Sequence, residues 1–387
     1  MRKKIFPLLL TLLLICCQSA TESVNTYGYT VPDTTPVIFA PDVISIKGRL
    51  EHGISFTPDT KEVAFGILDT NDFSGIIYHA KKHSNTWSKP TVFEPLQGES
   101  VFLPYFTPDG TSLLYAKNKT TATNYITDIW TLDKDQNIWA NPKKLKMPIS
   151  SLAREASACM TLDRTLYVSS NRGENGLADI YTSSPNDTAY TNIERIDAIS
   201  SERDEESIFI APDERYLIFS RFTTTTNSPD LFISYQDSDK NWTSPSPLDI
   251  PITTLLWERR PFVSIDNKFL FYTKMTFKES AMIESDIYWV NTQQVFKPFV
   301  YRPIPEKTIK VGAETTIAIP ADYFKDIDNE KLDLLFESKN VDWATFDKEK
   351  RILVMHPTEI GAFEFTFTAI DAYSNKTSDT LKITVEE

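Results

Sequence analysis

Hydrophobic and polar residues alternate with a period of two along most of this chain, in short runs rich in aromatic and β-branched side chains. That alternation predicts half-buried strands, and the 3.6-residue period of a long amphipathic helix is nowhere evident. Two such runs flank an aspartate-bearing turn in "ISFTPDTKEVAF" (54–65), and the same arrangement returns in "PYFTPDGTSLLY", "SACMTLDRTLYV", "IFIAPDERYLIF" and "FVSIDNKFLFY". The turn aspartates Asp59, Asp109, Asp163, Asp213 and Asp266 stand 50, 54, 50 and 53 residues apart. A repeat of this length means a solenoid or a propeller, and its β character selects the propeller.

Each unit supplies four strands. Downstream of the turn comes a strand with an aromatic two places after an acid, in "DIW" (Asp128), "DIY" (Asp179), "DLF" (Asp230) and "DIY" (Asp286), and a fourth strand opens on "WSKP", "WANP" or "WTSP" at Trp87, Trp139 and Trp242. Four strands make one propeller blade. The fifth copy runs out after "DIYWVN", while "TPVIFAPDVIS" (35–45) reads as a fourth strand with no blade before it. The N-terminal strand is therefore expected to complete the last blade and to cover the sheet edge left there. This gives an all-β chain with a five-bladed propeller over 35–300; a six-bladed ring, with a blade assembled from 20–50 and 290–300, is the alternative.

Beyond residue 300 the period is lost. Residues 301–387 hold short alternating strands, from "IPEKTIKVGAETTIAIPADYF" to "GAFEFTFTAIDAYSNKTSDTLKITVEE", which suit an immunoglobulin-like sandwich. Two resemblances attach to these stretches. "FTPDGTSLLY" and "SNRGENGLADIY" resemble the WD-repeat-like propellers of the TolB type in bacterial envelopes, over roughly 35–295. TolB itself carries a further N-terminal domain for which residues 18–35 leave no room, so the likeness implies a relative of the repeat. The acidic "FKDIDNEKL", "DWATFD" around Trp343 and "TAIDAYS" resemble dystroglycan-type cadherin-like modules. That resemblance implies calcium as a candidate cofactor, with Asp326, Asp328 and Asp371 in places comparable to the oxygen ligands of such modules. The competing role for these acids is turn formation, for which Asp is favoured anyway.

Composition narrows the partners. A net charge of −13 with acids and bases interspersed argues against nucleic acid and against anionic lipid as binding surfaces. The opening "MRKKIFPLLLTLLLICC" has the basic start and the short apolar run of an export signal, too short for a stable membrane span. "LLICCQS" resembles a bacterial lipobox, which implies a lipoprotein-type signal over 1–17 with Cys17 lipidated and becoming the new N-terminus, a linker over 18–34, and an envelope lipoprotein held to the membrane through that anchor alone. Cys159, in the apolar "SACMTL", is expected in the core.

No phosphate-cradling glycine loop, G-x-S-x-G, CxxC or HExxH occurs, and His52, His79, His83 and His356 are scattered and expected on the surface. One pattern carries a functional expectation. Eight residues before the turn aspartate stand Glu51, Glu155, Glu205 and Glu258, with Val101 the exception, and arginines accompany them at Arg49, Arg154, Arg203, Arg259 and Arg260. On an innermost strand these side chains gather at one mouth of the channel, either holding the ring together or binding a peptide, glycan or small ligand through charge-assisted hydrogen bonds. With no catalytic motif, the expectation is a non-catalytic scaffold binding an envelope protein or a glycan. The alternative is a propeller hydrolase, glycosidase- or lactonase-like, working through carboxylates at the mouth; a purely structural module of a larger assembly is a third.

Overall fold

A computed structural model describes residues 26–387, apart from 85, 120–125, 188, 250, 329–330 and 340. Residues 1–25, on which the expectations of an export signal and of lipidation at Cys17 fall, lie outside the described residues. Apart from two 3-10 turns, at Glu94–Leu96 and Thr292–Gln294, every regular element described is a strand. No helix among them is long and apolar enough to cross a membrane.

Five antiparallel sheets follow one another along the chain. Their first strands are Glu51–Phe56, Val101–Phe106, Glu155–Met160, Glu205–Ile210 and Trp257–Val263, each paired with the strand that follows its turn. Each first strand packs beside the next, and the fifth returns to the first, so the five form a closed inner ring. The ring of sheets is a β-propeller. The recurring turn explains the recurring words: the Thr57 hydroxyl donates to Asp59 Oδ1 at 2.7 Å and accepts from the Glu62 amide at 3.0 Å, while Asp59 Oδ1 also accepts from the Lys61 amide at 3.1 Å. Thr107 with Asp109, Thr161 with Asp163 and Ser264 with Asp266 repeat it. Ala211 has no hydroxyl to offer, and there Asp213 is held by Arg215 Nε at 2.5 Å.

The N-terminal segment closes the last sheet. Val37 and Ile38 pair with Trp289 and Tyr288, and Phe39 donates its amide to the Ile287 carbonyl at 2.7 Å. Tyr27 fills the seam, its ring centroid 4.9 Å from that of Phe56 and 5.1 Å from that of Phe271, and Trp87 Nε1 donates to its carbonyl at 2.8 Å. The recurring tryptophan of the fourth strand has a second use at Trp139, whose Nε1 donates to Glu62 Oε2 in the preceding sheet at 2.9 Å. His79 and Lys134 share that carboxylate at 2.8 and 2.6 Å. Burial pushes the Glu62 pKa up, yet these donors outweigh it and hold the carboxyl down to about 2.

The C-terminal residues form two further sheets. Lys307–Lys310 runs parallel to Lys376–Glu386, which continues antiparallel through Gly361–Ile370 to Asp333–Ser338; Thr315–Ala318, Ile352–Met355 and Ala344–Asp347 make the second. Trp343, Leu353, Phe365 and Phe367 are buried in a core of their own. The connection to the ring is a short pairing of Phe299–Val300 with Phe324–Lys325, the face-to-face stack of Tyr235 on Phe299 at 4.4 Å, and hydrogen bonds from Asn375 Nδ2 to the carbonyls of Gln293 and Phe296 at 2.9 and 3.3 Å.

Candidate functional site

The four repeated glutamates do not line the channel. Glu51, Glu155, Glu205 and Glu258 are fully buried and fasten the loop that leads into their own strand. Glu155, Glu205 and Glu258 accept from the amides of Ser151, Ser201 and Thr254, four residues upstream, at 3.2, 3.1 and 3.3 Å, and from the hydroxyls of the same residues. Glu51 accepts instead from Arg49 Nε at 2.7 Å and the Ile46 amide at 3.3 Å. Their arginine partners come from the same sheet: Arg172 for Glu155 and Arg221 for Glu205. Burial pushes all four carboxyls up, Glu51 and Glu258 to about 7. Arg203 is exposed, and only its amide is engaged, by Ser201 Oγ.

The mouth is lined instead by residues one or two places further on in three of the five inner strands: His52, Glu206, Arg259 and Arg260. A β-bulge interrupts each inner strand at this point, and the extra residue re-aims the side chains around it. Gly53, Leu103, Ser207 and Arg260 sit at the bulge with φ of 79°, 54°, 59° and 59°. Strained backbone of this kind outside glycine gathers at sites of function. The residues following the glutamate position are His52, Phe102, Ala156, Glu206 and Arg259, no two alike. The regular glutamates fasten the loops into their strands, and beside them His52, Glu206 and Arg259 face the mouth while Phe102 and Ala156 are buried.

Three of the anticipated arginines meet there. Glu206 is 5% exposed and bridges two guanidinium groups from the sheets on either side: Arg154 Nη1 lies 2.8 Å from Oε1 and Arg259 Nη1 lies 2.7 Å from Oε2. Arg260 crosses beneath, with Nε 3.2 Å from His52 Nε2 and Nη1 2.5 Å from Ser207 Oγ. These groups form one wall of a cavity of about 210 Å³, and Phe73, Trp257, Met275 and Met282 form the other. The Trp257 ring packs on Phe277 at 4.3 Å and lies 5.0 Å beneath the Arg259 guanidinium. Arg260 also roofs a smaller cavity of about 40 Å³ further down the channel, so the mouth is a cup with an arginine floor.

Charge in the cup is unbalanced. Burial pushes the Glu206 carboxyl up, but Arg259, Arg154 and Arg260 outweigh it and hold it well below the usual carboxylate range. Burial and the charges of Arg260 and Arg259 hold the His52 imidazole well below its ordinary pKa, so it is neutral. Since Nε2 accepts from Arg260, the proton sits on Nδ1, which is buried and has no hydrogen-bond partner. Three guanidinium groups thus face one carboxylate, an excess of two positive charges in a chain whose net charge is −13.

The remaining candidates are accounted for more simply. The expectation of surface histidines fails for His52, on the cup wall, and for His79, which pairs with Glu62. Cys159 is buried in the core. Asp371 makes a turn, accepting from the amides of Tyr373 and Asn375 at 2.8 Å each. Asp326 Oδ1 accepts from the Asp328 amide at 3.2 Å, and burial with the neighbouring Asp328 charge pushes the Asp326 carboxyl up to about 7. Among the described residues no three His, Cys, Asp or Glu side chains converge as a metal site.

No protein family and no curated protein matches the chain. Among solved structures, an endo-arabinase from Bacteroides thetaiotaomicron aligns at TM-score 0.41 and 14% identity over 65% of this chain and 96% of its own. The catalytic domain of a Coprinopsis cinerea α-L-arabinofuranosidase aligns at 0.41 and 8% over 67% and 94%, and an oligogalacturonate lyase in complex with manganese at 0.37 and 12% over 63% and 66%. The chain spans 18% of a putative α-galactosidase from Bacteroides fragilis and 37% of a puromycin-hydrolyzing peptidase from Mycobacterium tuberculosis. These structures are enzymes by name, and this corrects the expectation of a non-catalytic scaffold in favour of its alternative. At such TM-scores the likeness carries no residue, substrate or reaction across to this chain, and those are argued from its own geometry.

Proposed function

We propose that the protein is a propeller hydrolase taking an anionic substrate into the cup. The five sheets are read as the complete set of blades, with residues 301–387 as an appended immunoglobulin-like, cadherin-type module and Cys17 as the lipid anchor to the bacterial envelope. The observation that carries the reading is the bridged Glu206: a single buried carboxylate held between Arg154 and Arg259 on the wall of an open cavity.

The roles follow from charge. Arg154, Arg259 and Arg260 hold the substrate anion, and charge-assisted bonds of this kind are among the strongest available. Glu206, released from Arg154 and Arg259 when the substrate anion takes them, accepts the proton of an attacking water and then returns it to the leaving oxygen. His52 offers its free Nδ1–H to an oxygen of the substrate on which negative charge develops. Trp257, with Met275 and Met282, gives an apolar wall against which the body of the substrate packs. The carboxylates of the hydrolase reading therefore change identity, from the four repeated glutamates to Glu206.

The test is turnover of a panel of acidic saccharides and carboxylate-bearing esters and lactones. Glu206→Gln is expected to lower kcat at least about 100-fold, and Arg259→Ala to act mainly through KM. A purified wild type that turns over none of these classes, or a Glu206→Gln variant as active as the parent, overturns the reading.

A further inference from the structure

We infer that Glu206 is a resident stand-in for the carboxylate of the ligand, so that binding is an exchange: a ligand carboxylate takes its place between Arg154 and Arg259. The inference rests on the anion-binding reading of the cup and names the ligand class.

Glu206 Oε1 and Oε2 each accept from one guanidinium nitrogen, at 2.8 and 2.7 Å, one from the loop just before the third inner strand and one from the fifth inner strand. Two donors are thereby spaced to the bite of a planar carboxylate, and a carboxylate in the ligand meets the same spacing without rearrangement of either arginine. The supports of the pair are fixed independently of Glu206. Arg259 lies against Trp257, itself stacked on Phe277, and the backbone before Arg154 is anchored by Glu155 through Ser151. Glu206 lines the same cavity as both arginines, so it has space to leave. Arg260, on His52 and Ser207, is engaged elsewhere and stays behind as an additional positive charge.

An occupied arginine pair is also a selectivity device. A weakly held anion gains little by displacing a carboxylate that is already well paired. A ligand that adds contacts to the Trp257 wall or to His52 Nδ1 has a net gain. The resident carboxylate therefore lowers affinity for small anions and leaves room for those with an attached body.

The test uses the full mature chain, titrated by calorimetry with D-glucuronate and, separately, with inorganic phosphate. Glu206→Ala is expected to bind glucuronate at least tenfold more tightly than wild type, and Glu206→Gln, which keeps the shape, to move in the same direction. Arg154→Met and Arg259→Met are each expected to lose that gain when combined with Glu206→Ala. Thermal melts verify folding, and the Gln variant carries the test if the Ala variant does not fold. Equal glucuronate affinity in wild type and both Glu206 variants overturns the exchange while leaving the anion site in place. No binding in any protein overturns the anion reading itself. A gain for phosphate alone overturns the carboxylate class.

Discussion

Glu205 and Glu206 are neighbours on one strand, both buried, yet their surroundings move them in opposite directions. Glu205 faces its own loop, where burial raises its pKa; Glu206 faces the cup, where two arginines hold it ionised. The same contrast defines a pH test on Glu258, whose carboxyl is pushed from 4.5 to about 7 and has Thr254 rather than an arginine as hydrogen-bond partner. A carboxyl raised on folding contributes stability that is fully present below the unfolded value and is lost as pH rises through the folded one. Glu258 therefore costs the fold stability between about pH 5 and 8. Glu62 and Glu206, both depressed, lose their contribution only in more acidic solution. His52, depressed by burial, works in the opposite direction to Glu258 in this window, so the comparison must be a difference between proteins. Glu258→Gln, which still accepts from Thr254, is expected to gain about 1–3 kcal/mol on wild type between pH 5 and 8. Urea denaturation at the two values checks it, and a constant offset would mean that Glu258 is ionised throughout.

At the scale of the strand, the alternation of apolar residues and the five turn aspartates made the sheets legible, because Thr or Ser two places before the aspartate builds the same turn almost every time. The closing strand was legible too, from an apolar run with no blade before it. The mouth was not. Period-two reasoning assigns a face only while the register is unbroken, and a slip of one residue exchanges the two faces. The bulge at the position following the glutamate, or Val101, makes such a break on all five inner strands, and no recurring residue marks it: from His52, Phe102, Ala156, Glu206 and Arg259 onward the columns differ from repeat to repeat. The seam invites its own test. Phe39 is fully buried, with its ring centroid 5.1 Å from that of Phe271 and 5.2 Å from that of Trp289. Truncating such a ring costs about 3–5 kcal/mol, whereas Val37, 45% exposed in the same segment, should cost no more than about 0.5 kcal/mol on replacement by Ala. Chemical denaturation of Phe39→Ala and Val37→Ala measures both. A Phe39→Ala loss below that of Val37→Ala would show that the ring is closed without this strand.

At the scale of the whole molecule, the cup and the C-terminal sheets lie at opposite ends of the blades. The cup is built at the start of the inner strands, from His52, Arg154, Glu206 and Arg259. The C-terminal sheets pack where those strands have already turned: Tyr301, Lys325 and Asp326 line a hollow with Arg215 and Gln236, and Ser238 donates its amide to the Tyr301 carbonyl at 2.7 Å. Their cores are separate clusters, joined by one short strand pair and a few side chains. A boundary with few contacts across it is where a chain can be divided. Ending the chain after residue 302 is therefore expected to leave glucuronate affinity within about twofold of the intact protein's, because no residue of the cup is lost. It is expected to lower the melting temperature of the ring, because removing Phe324 and Asn375 uncovers Phe299 and leaves the carbonyls of Gln293 and Phe296 to solvent. A stack such as Tyr235 on Phe299 contributes about 0.5–1.5 kcal/mol beyond the area it buries, so the Tyr235 side of the fourth sheet should show the change first. Calorimetry paired with a glucuronate titration on the same truncated protein separates the two effects. Loss of binding with an intact melt would mean that the C-terminal sheets complete the site, and would move the search for substrate contacts from the mouth of the ring to the hollow beside Arg215.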